Sequence, residues 1–330
     1  FGGEQVIGDV EIHFYPGDWF AHGHERSPDF DRVVLHVCLF GQKLGGQPPH
    51  TLSGRILPTL SLLEYLEKDL EQFASEDAST ALEHDAGADL RDYLLSMSFG
   101  DRKQWILQKA KVRWHQKLAF ARDRLKRLSW EDALHQSALE VLGYRRNRIP
   151  MTRLGEAFDF QTFLRERPDA GHLFVRMKGA WSLSGCRPAN HPKRRLEQYC
   201  ELMAKRPDWP QHLQTRLRNS LTVDIEEIDT AYVRKHYSFR RVRESIASDL
   251  LCNTLGGSRL DTLMLDAFFP LFAAHLNTDI EAYWLHWFPG DIPEKLKTFV
   301  KDADLLPPRQ PVSNGVLQGA LQAFYEAGIV

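Results

Sequence analysis

Polar and apolar residues alternate with a period of two over 9–14: Asp9, Glu11 and His13 fall on one side of an extended chain, and Val10, Ile12 and Phe14 on the other. The pattern predicts a strand that buries Val10 and Ile12 in a core and turns an ionisable face to a cleft. A second apolar run, 32–40, is rich in Val and Leu, carries His36 as its polar residue, and reads as a buried strand. Between the two lie a Pro16-Gly17 turn, an Asp18 suited to capping a short helix, and a Ser27-Pro28-Asp29 suited to starting another. If a helix occupies this connection, the strands are parallel neighbours; a long hairpin is the alternative.

After a Gly/Pro-rich linker at 41–54, the period changes to 3.6 and stays there. Leu60, Leu62, Leu63, Leu66 and Leu70 predict a helix over 59–75, and 76–89 reads as an acidic loop. Further helices are expected at 101–128, 130–142 (stopped by Gly143), 151–157, 192–204, 209–219, 224–235, 239–255, 260–274, 279–288, 293–302 and 314–327. Breaks are expected at 168–171, 183–192 and 307–311, and Pro270 is expected to kink or end its helix. The fold class is therefore α+β and mostly α: a small αβ sheet fragment over 1–55, then a helical region over 56–330, with a possible division near 150–185.

Composition adds bounds. The 330 residues, 43% of them hydrophobic, provide for one large or two ordinary domains. A net charge of -2 gives no global argument for a nucleic-acid partner, and no apolar run reaches the ~20 residues of a membrane span. Cys38, Cys186, Cys200 and Cys252 form no Cys-x-x-Cys pair, so a cytoplasmic protein with reduced thiols is the default expectation. The start at Phe1, directly before a strand, reads as an N-terminally incomplete sequence. Nothing in the pattern sets an oligomeric state.

Candidate chemistry concentrates near the amino end. Four of the fourteen histidines, His13, His22, His24 and His36, fall within 13–36, where even spreading would put about one. With Asp9 and Glu11 they form an imidazole-carboxylate set of the kind that binds a divalent metal. A solvated face on an edge strand gives the same alternation, and a lone His36 on an apolar strand is more often a core residue than a ligand.

Cationic residues concentrate elsewhere. From Arg102 to Arg153 there are fourteen Lys or Arg against four Asp or Glu; Arg113, Lys117 and Arg124 fall on one side of a helix, as a stripe for a phosphate backbone or as a solvated face. Two tighter clusters, Tyr144-Arg145-Arg146-Asn147-Arg148 and Arg187-Pro188-Ala189-Asn190-His191-Pro192-Lys193-Arg194-Arg195, combine arginines with helix ends, which suits phosphate; anchoring onto acidic helices is the alternative.

Gly-Asp-Val-Glu-Ile-His at 8–13, Asp-Trp-x-x-His-Gly-His at 18–24, Val-Val-Leu-His-Val at 33–37, Leu-Gly-Tyr-x-x-Asn at 142–147 and Arg-Pro-Ala-Asn-x-Pro at 187–192 resemble an uncharacterised bacterial family known only as a domain of unknown function. More distantly, Glu11-x-His13 is similar to the PD-(D/E)XK nuclease core, with His13 where that core has lysine and with its Pro-Asp upstream of this chain. Trp19 with His22-Gly23-His24 resembles a segment of very-short-patch repair endonucleases.

These resemblances imply a nuclease-like sheet and a metal-dependent nuclease using Mg, Mn or Zn. Glu11, His13 and His24 would be catalytic; Asp9, Glu11, His22, His24 and His36 would surround the metal. Arg145, Arg146, Arg187 and Arg195 would hold nucleic acid. The alternative is a non-catalytic nucleic-acid-binding or scaffold protein on a degenerate nuclease-like core. A cupin-like metal enzyme fits poorly, since the Glu expected four or five residues after His24 is missing.

Overall fold

The structure, a computed structural model, describes residues 6–13, 16–38, 47–62, 86–221, 229–306 and 310–327. The chain divides into two compact units, Phe1–Asp69 and Leu70–Val330.

The first unit carries three parallel strands in the order β1 (Asp9–His13), β2 (Val33–Cys38) and β3 (Thr59–Ser61). The β1–β2 connection holds a helix at Asp18–Ala21 and 3₁₀ turns at His24–Arg26 and Pro28–Phe30, so the crossover reading holds and the hairpin alternative does not. Two expectations fail here. Val10 and Ile12 are 51% and 68% exposed, because the unit gathers its small core of Trp19, Val33 and Leu57 elsewhere. Residues 59–61, expected to begin a helix, form β3: the backbone bonds from His36 N to the Pro58 carbonyl and from Leu62 N to the Cys38 carbonyl outweigh the leucine spacing. The rest of that expected helix, 63–75, lies outside the described residues, as do most of the acidic segment and residues 307–309.

The second unit is helical. Its longest element, Phe99–Arg127, is capped by Ser98, which accepts from the Asp101 N–H, and packs along Asn314–Ala327. A Cβ on Gly319 would stand 2.1 Å from the Ile106 carbonyl oxygen, so only glycine lets these backbones meet. Trp130–Leu142 forms as expected. Beyond Gly143 the helical segment Tyr144–Ala157 follows, interrupted by a kink at Asn147, and it starts earlier than the spacing indicated. Helices Phe160–Glu166 and Ala170–Arg176, which the spacing did not predict, are capped by Asp159 and Asp169. Pro270 does not end its segment: a π-turn at Met264–Phe268 precedes it and places it in the first turn of Phe269–Leu276.

The cationic stripe faces inward. Arg113 Nε donates to Gln318 Oε1 at 2.7 Å, Lys117 Nζ meets Asp266 Oδ1 at 2.9 Å, and Arg124 pairs with Glu140 at 2.7 Å. Arg102, Arg113 and Lys117 are buried, so these cations anchor the long helix to its neighbours and offer no stripe to a phosphate backbone. No described helix is long and apolar enough to cross a membrane.

The buried His135 joins three elements. Its Nε2 lies 2.7 Å from the Phe158 carbonyl, to which it donates, and the Tyr199 hydroxyl, 2.6 Å away, therefore donates to Nδ1. Burial pushes its pKa down from 6.5 to about 4. Between those values the unfolded chain binds the proton that the folded chain refuses, so the stabilisation is complete above pH 6.5 and is lost as pH falls toward 4. The shift corresponds to about 3 kcal/mol. Denaturant unfolding of the wild type is expected to weaken across this window, and His135→Gln to flatten the decline; equal slopes for the two proteins would contradict this role.

Candidate metal centre

In a parallel sheet, residues paired in register share a face. Glu11 pairs with His36 and His13 with Cys38, so sheet geometry places all four side chains together. From β1 the chain turns through Pro16 and Gly17 into the Asp18–Ala21 helix, where Trp19 is fully buried and donates Nε1–H to the His50 carbonyl at 2.9 Å. This helix ends after one turn at His22. Gly23 then adopts φ +73°, a conformation open to glycine without a Cβ clash, and the reversal brings the imidazoles of His22 and His24 to one place. Phe30 stacks on the His24 ring at a centroid distance of 3.7 Å, and Trp19 meets the same ring edge-on at 5.3 Å.

His13 Nε2 stands 3.2 Å from His22 Nδ1 and 3.3 Å from His24 Nε2. Ligand atoms of the three residues lie within 4.8 Å of one another. Glu11 Oε1 is 3.6 Å from His13 Nε2 and 3.8 Å from His24 Nε2. Nitrogens bound to one tetrahedral ion at ordinary zinc–nitrogen lengths stand roughly 3.3 Å apart, matching the His13 spacings. A single ring nitrogen has one proton or one lone pair, so His13 Nε2 has no means of satisfying two nitrogens and a carboxylate at once. A shared cation at this point would satisfy the three nitrogens and the carboxylate together.

Burial lowers the pKa of His13 and of His24; Glu11 acts in the opposite sense, and neighbouring imidazoles reinforce the lowering. Burial, followed by the His13 ring, pushes His36 down to about 4. These three rings are therefore neutral near pH 7, the form that ligates metals. His36 Nε2 lies 2.8 Å from His13 Nδ1. For His13 to face a cation through Nε2, its Nδ1 carries the proton and donates it to His36, an outer contact that fixes the tautomer and ring angle of the ligand.

The structure thus brings together Glu11, His13, His22 and His24, with His36 behind them. Asp9 is not in the group: a register shift between Asp9 and Val10 breaks the alternation, and the Asp9 carboxylate stands 4.0 Å from the exposed Arg32. His36, expected among the metal ligands, stands behind the three grouped imidazoles, with its Nε2 against His13 Nδ1. Trp19 and Phe30 orient His24; Trp19 lay inside a noted motif, whereas nothing in the local sequence marked Phe30.

The four arginines all lie in the second unit. Arg195 is buried and bonded to Gln198 and Asn190, which removes it from any nucleic-acid surface. Arg146 and Arg187 are exposed, and the Arg145 side chain lies outside the described residues.

Replacing His36 with Leu is expected to lower metal affinity by about 10- to 100-fold, with His36→Gln losing less because it keeps an acceptor. Competition against a chromophoric chelator measures this; an unchanged affinity in His36→Leu would remove the outer contact from the account.

No curated protein and no solved structure matches the chain. The family model described as Protein of unknown function (DUF2851) matches residues 1–177 and 172–288, and the chain belongs to that family.

Proposed function

We propose that the protein is a metal-dependent hydrolase acting on phosphodiesters, with its cation held by His13, His22 and His24. The convergence of three imidazole nitrogens beside one carboxylate is the observation that carries the reading. Such a donor set suits zinc or manganese; magnesium, which prefers oxygen ligands, fits it poorly. The phosphodiester substrate rests on the likeness of Glu11-x-His13 and His22-Gly23-His24 to nuclease segments.

A divalent ion at these nitrogens supplies Lewis acidity and makes a nearby water easier to deprotonate. With His13, His22 and His24 holding the cation, Glu11 would be the carboxylate placed to orient an attacking water and accept its proton. His22 is solvent-exposed, so the centre is open on the side where a substrate would enter. His13 thus serves as a ligand, and the base role passes to Glu11.

Elemental analysis of the purified full-length chain is expected to find about one zinc or manganese per chain, lost in a His22→Ala, His24→Ala double variant. Glu11→Gln should keep the metal while hydrolysis of bis-p-nitrophenyl phosphate and of single-stranded DNA falls by about 10²- to 10⁴-fold. Stoichiometric metal without hydrolysis in the wild type would leave a non-catalytic metal-binding protein. Full hydrolysis in Glu11→Gln would remove Glu11 as base.

A further inference from the structure

A cleft of about 570 Å3 opens in the second unit, where the two arginine-bearing motifs meet: its walls include Arg146 and Asn147 of the first motif, Arg187 and Asn190 of the second, and Asp291 and Lys297 from the helix region near 290–302. Distant stretches of sequence therefore build one site. Asn147 clamps the walls together, donating Nδ2–H to the Ser182 carbonyl at 3.1 Å and accepting the Ser182 N–H at 2.8 Å.

Its charge is unbalanced. Arg195 and Arg259, 9% and 4% exposed, sit behind the wall and share Asn190 Oδ1 at 2.8 and 3.5 Å. Arg259 also pairs with Asp291 at 2.8 Å, and its guanidinium lies 4.7 Å from the centre of the Tyr144 ring. Both arginines keep a buried Nε–H without a partner among the described residues. Burial, then the neighbouring Arg259, lowers the pKa of Arg195 to about 10, which leaves it charged at neutral pH.

In the wall itself Lys297 is matched by Glu294 at 3.0 Å, while Arg146, among the described residues, donates to the Ser184 carbonyl and to no carboxylate. The Arg187 side chain is exposed and makes no hydrogen bond or ion pair among the described residues. Five cationic side chains thus meet two carboxylates, Asp291 and Glu294, and each carboxylate is already paired. Holding two guanidinium groups so close in a buried setting is costly unless an anion offsets them.

The backbone at the mouth is strained as well. Tyr144 adopts φ +56°, a sparsely populated conformation for a bulky residue, immediately after Gly143, where a Cβ would stand 2.3 Å from the Asn147 carbonyl oxygen. Strain of this kind accumulates at ligand clamps. A second irregularity follows at Asn147, with φ -123° and ψ 18°, so the segment that runs on to Ala157 is bent twice beside the cleft.

We propose that this cleft is a binding site for a small phosphorylated ligand, its phosphate held by Arg146 and Arg187 in the field of the buried Arg195 and Arg259. The volume lies within the ~300 to 1,000 Å3 range of small-molecule sites, leaving room beside a phosphate for an organic body against Tyr144 and Ile292. The site is independent of the metal centre and stands whether or not that centre is catalytic.

Calorimetry of the full chain with inorganic phosphate and with pyrophosphate, against chloride at equal ionic strength, tests it. Saturable binding of one phosphate species per chain is expected, weakened at least about tenfold by Arg187→Ala and by Arg146→Ala, and unchanged in the His22→Ala, His24→Ala double variant. Arg187→Ala leaves an exposed, unpaired position, and its unfolding midpoint should match the wild type. Absence of saturable binding, or binding indifferent to Arg187, overturns the proposal. So does binding that vanishes with the histidines, which would place the anion at the metal centre. A single-stranded 12-mer that binds through Arg187 while phosphate and pyrophosphate do not would mark a nucleic-acid surface and likewise overturn it.

Discussion

The contact on which the amino-terminal site depends is the one between His13 and His36. A neutral imidazole carries one N–H and one lone pair, and an acceptor for the N–H fixes which nitrogen offers its lone pair to a cation. The 2.8 Å approach of His36 to His13 Nδ1 provides that acceptor, and it exists because β1 and β2 run parallel in a register that sets Glu11 against His36. The crossover between those strands then has to deliver two more imidazoles in a short length. It does so with one helical turn, a left-handed Gly23 and the buried Trp19. A hairpin connection would have altered the register and with it the pairing of His13.

The second unit solves a different electrostatic problem. Its long helix is rich in Lys and Arg, and the fold buries several of them against Gln318, Asp266 and Glu140, so that charge serves as an internal anchor. Around Arg195 and Arg259 the same strategy is incomplete: the chain supplies Asn190 and Asp291 but too little negative charge. One region is locally neutralised and the other is left positive, which separates the structural arginines from those facing the cleft.

Much of this architecture was readable from hydropathy. The alternation around Glu11 and His13 and the 3.6 period of 130–142 each have one dominant local cause, and both elements form. What escaped is tertiary in origin. The register shift that removes Asp9 leaves no hydropathy signature, and His36 as an outer partner follows from pairing between strands. Arg113 and Lys117 carry the composition of a solvated face, yet their partners come from segments more than a hundred residues away. The break read at Pro168 is present, but the helices on either side of it, Phe160–Glu166 and Ala170–Arg176, were not predicted. Likewise, Arg146 and Arg187 were visible within clusters, whereas their meeting with Asp291 and Lys297 is a product of helix packing.

Metal K-edge X-ray absorption on the zinc- or manganese-loaded full-length protein addresses the central claim most directly. Three imidazole nitrogens at one first-shell distance, about 2.0 to 2.1 Å for zinc, are expected, with the imidazole scattering lost in the His22→Ala, His24→Ala double variant. A protein that takes up no divalent ion, or a spectrum unaltered by removing those two histidines, would contradict the shared centre.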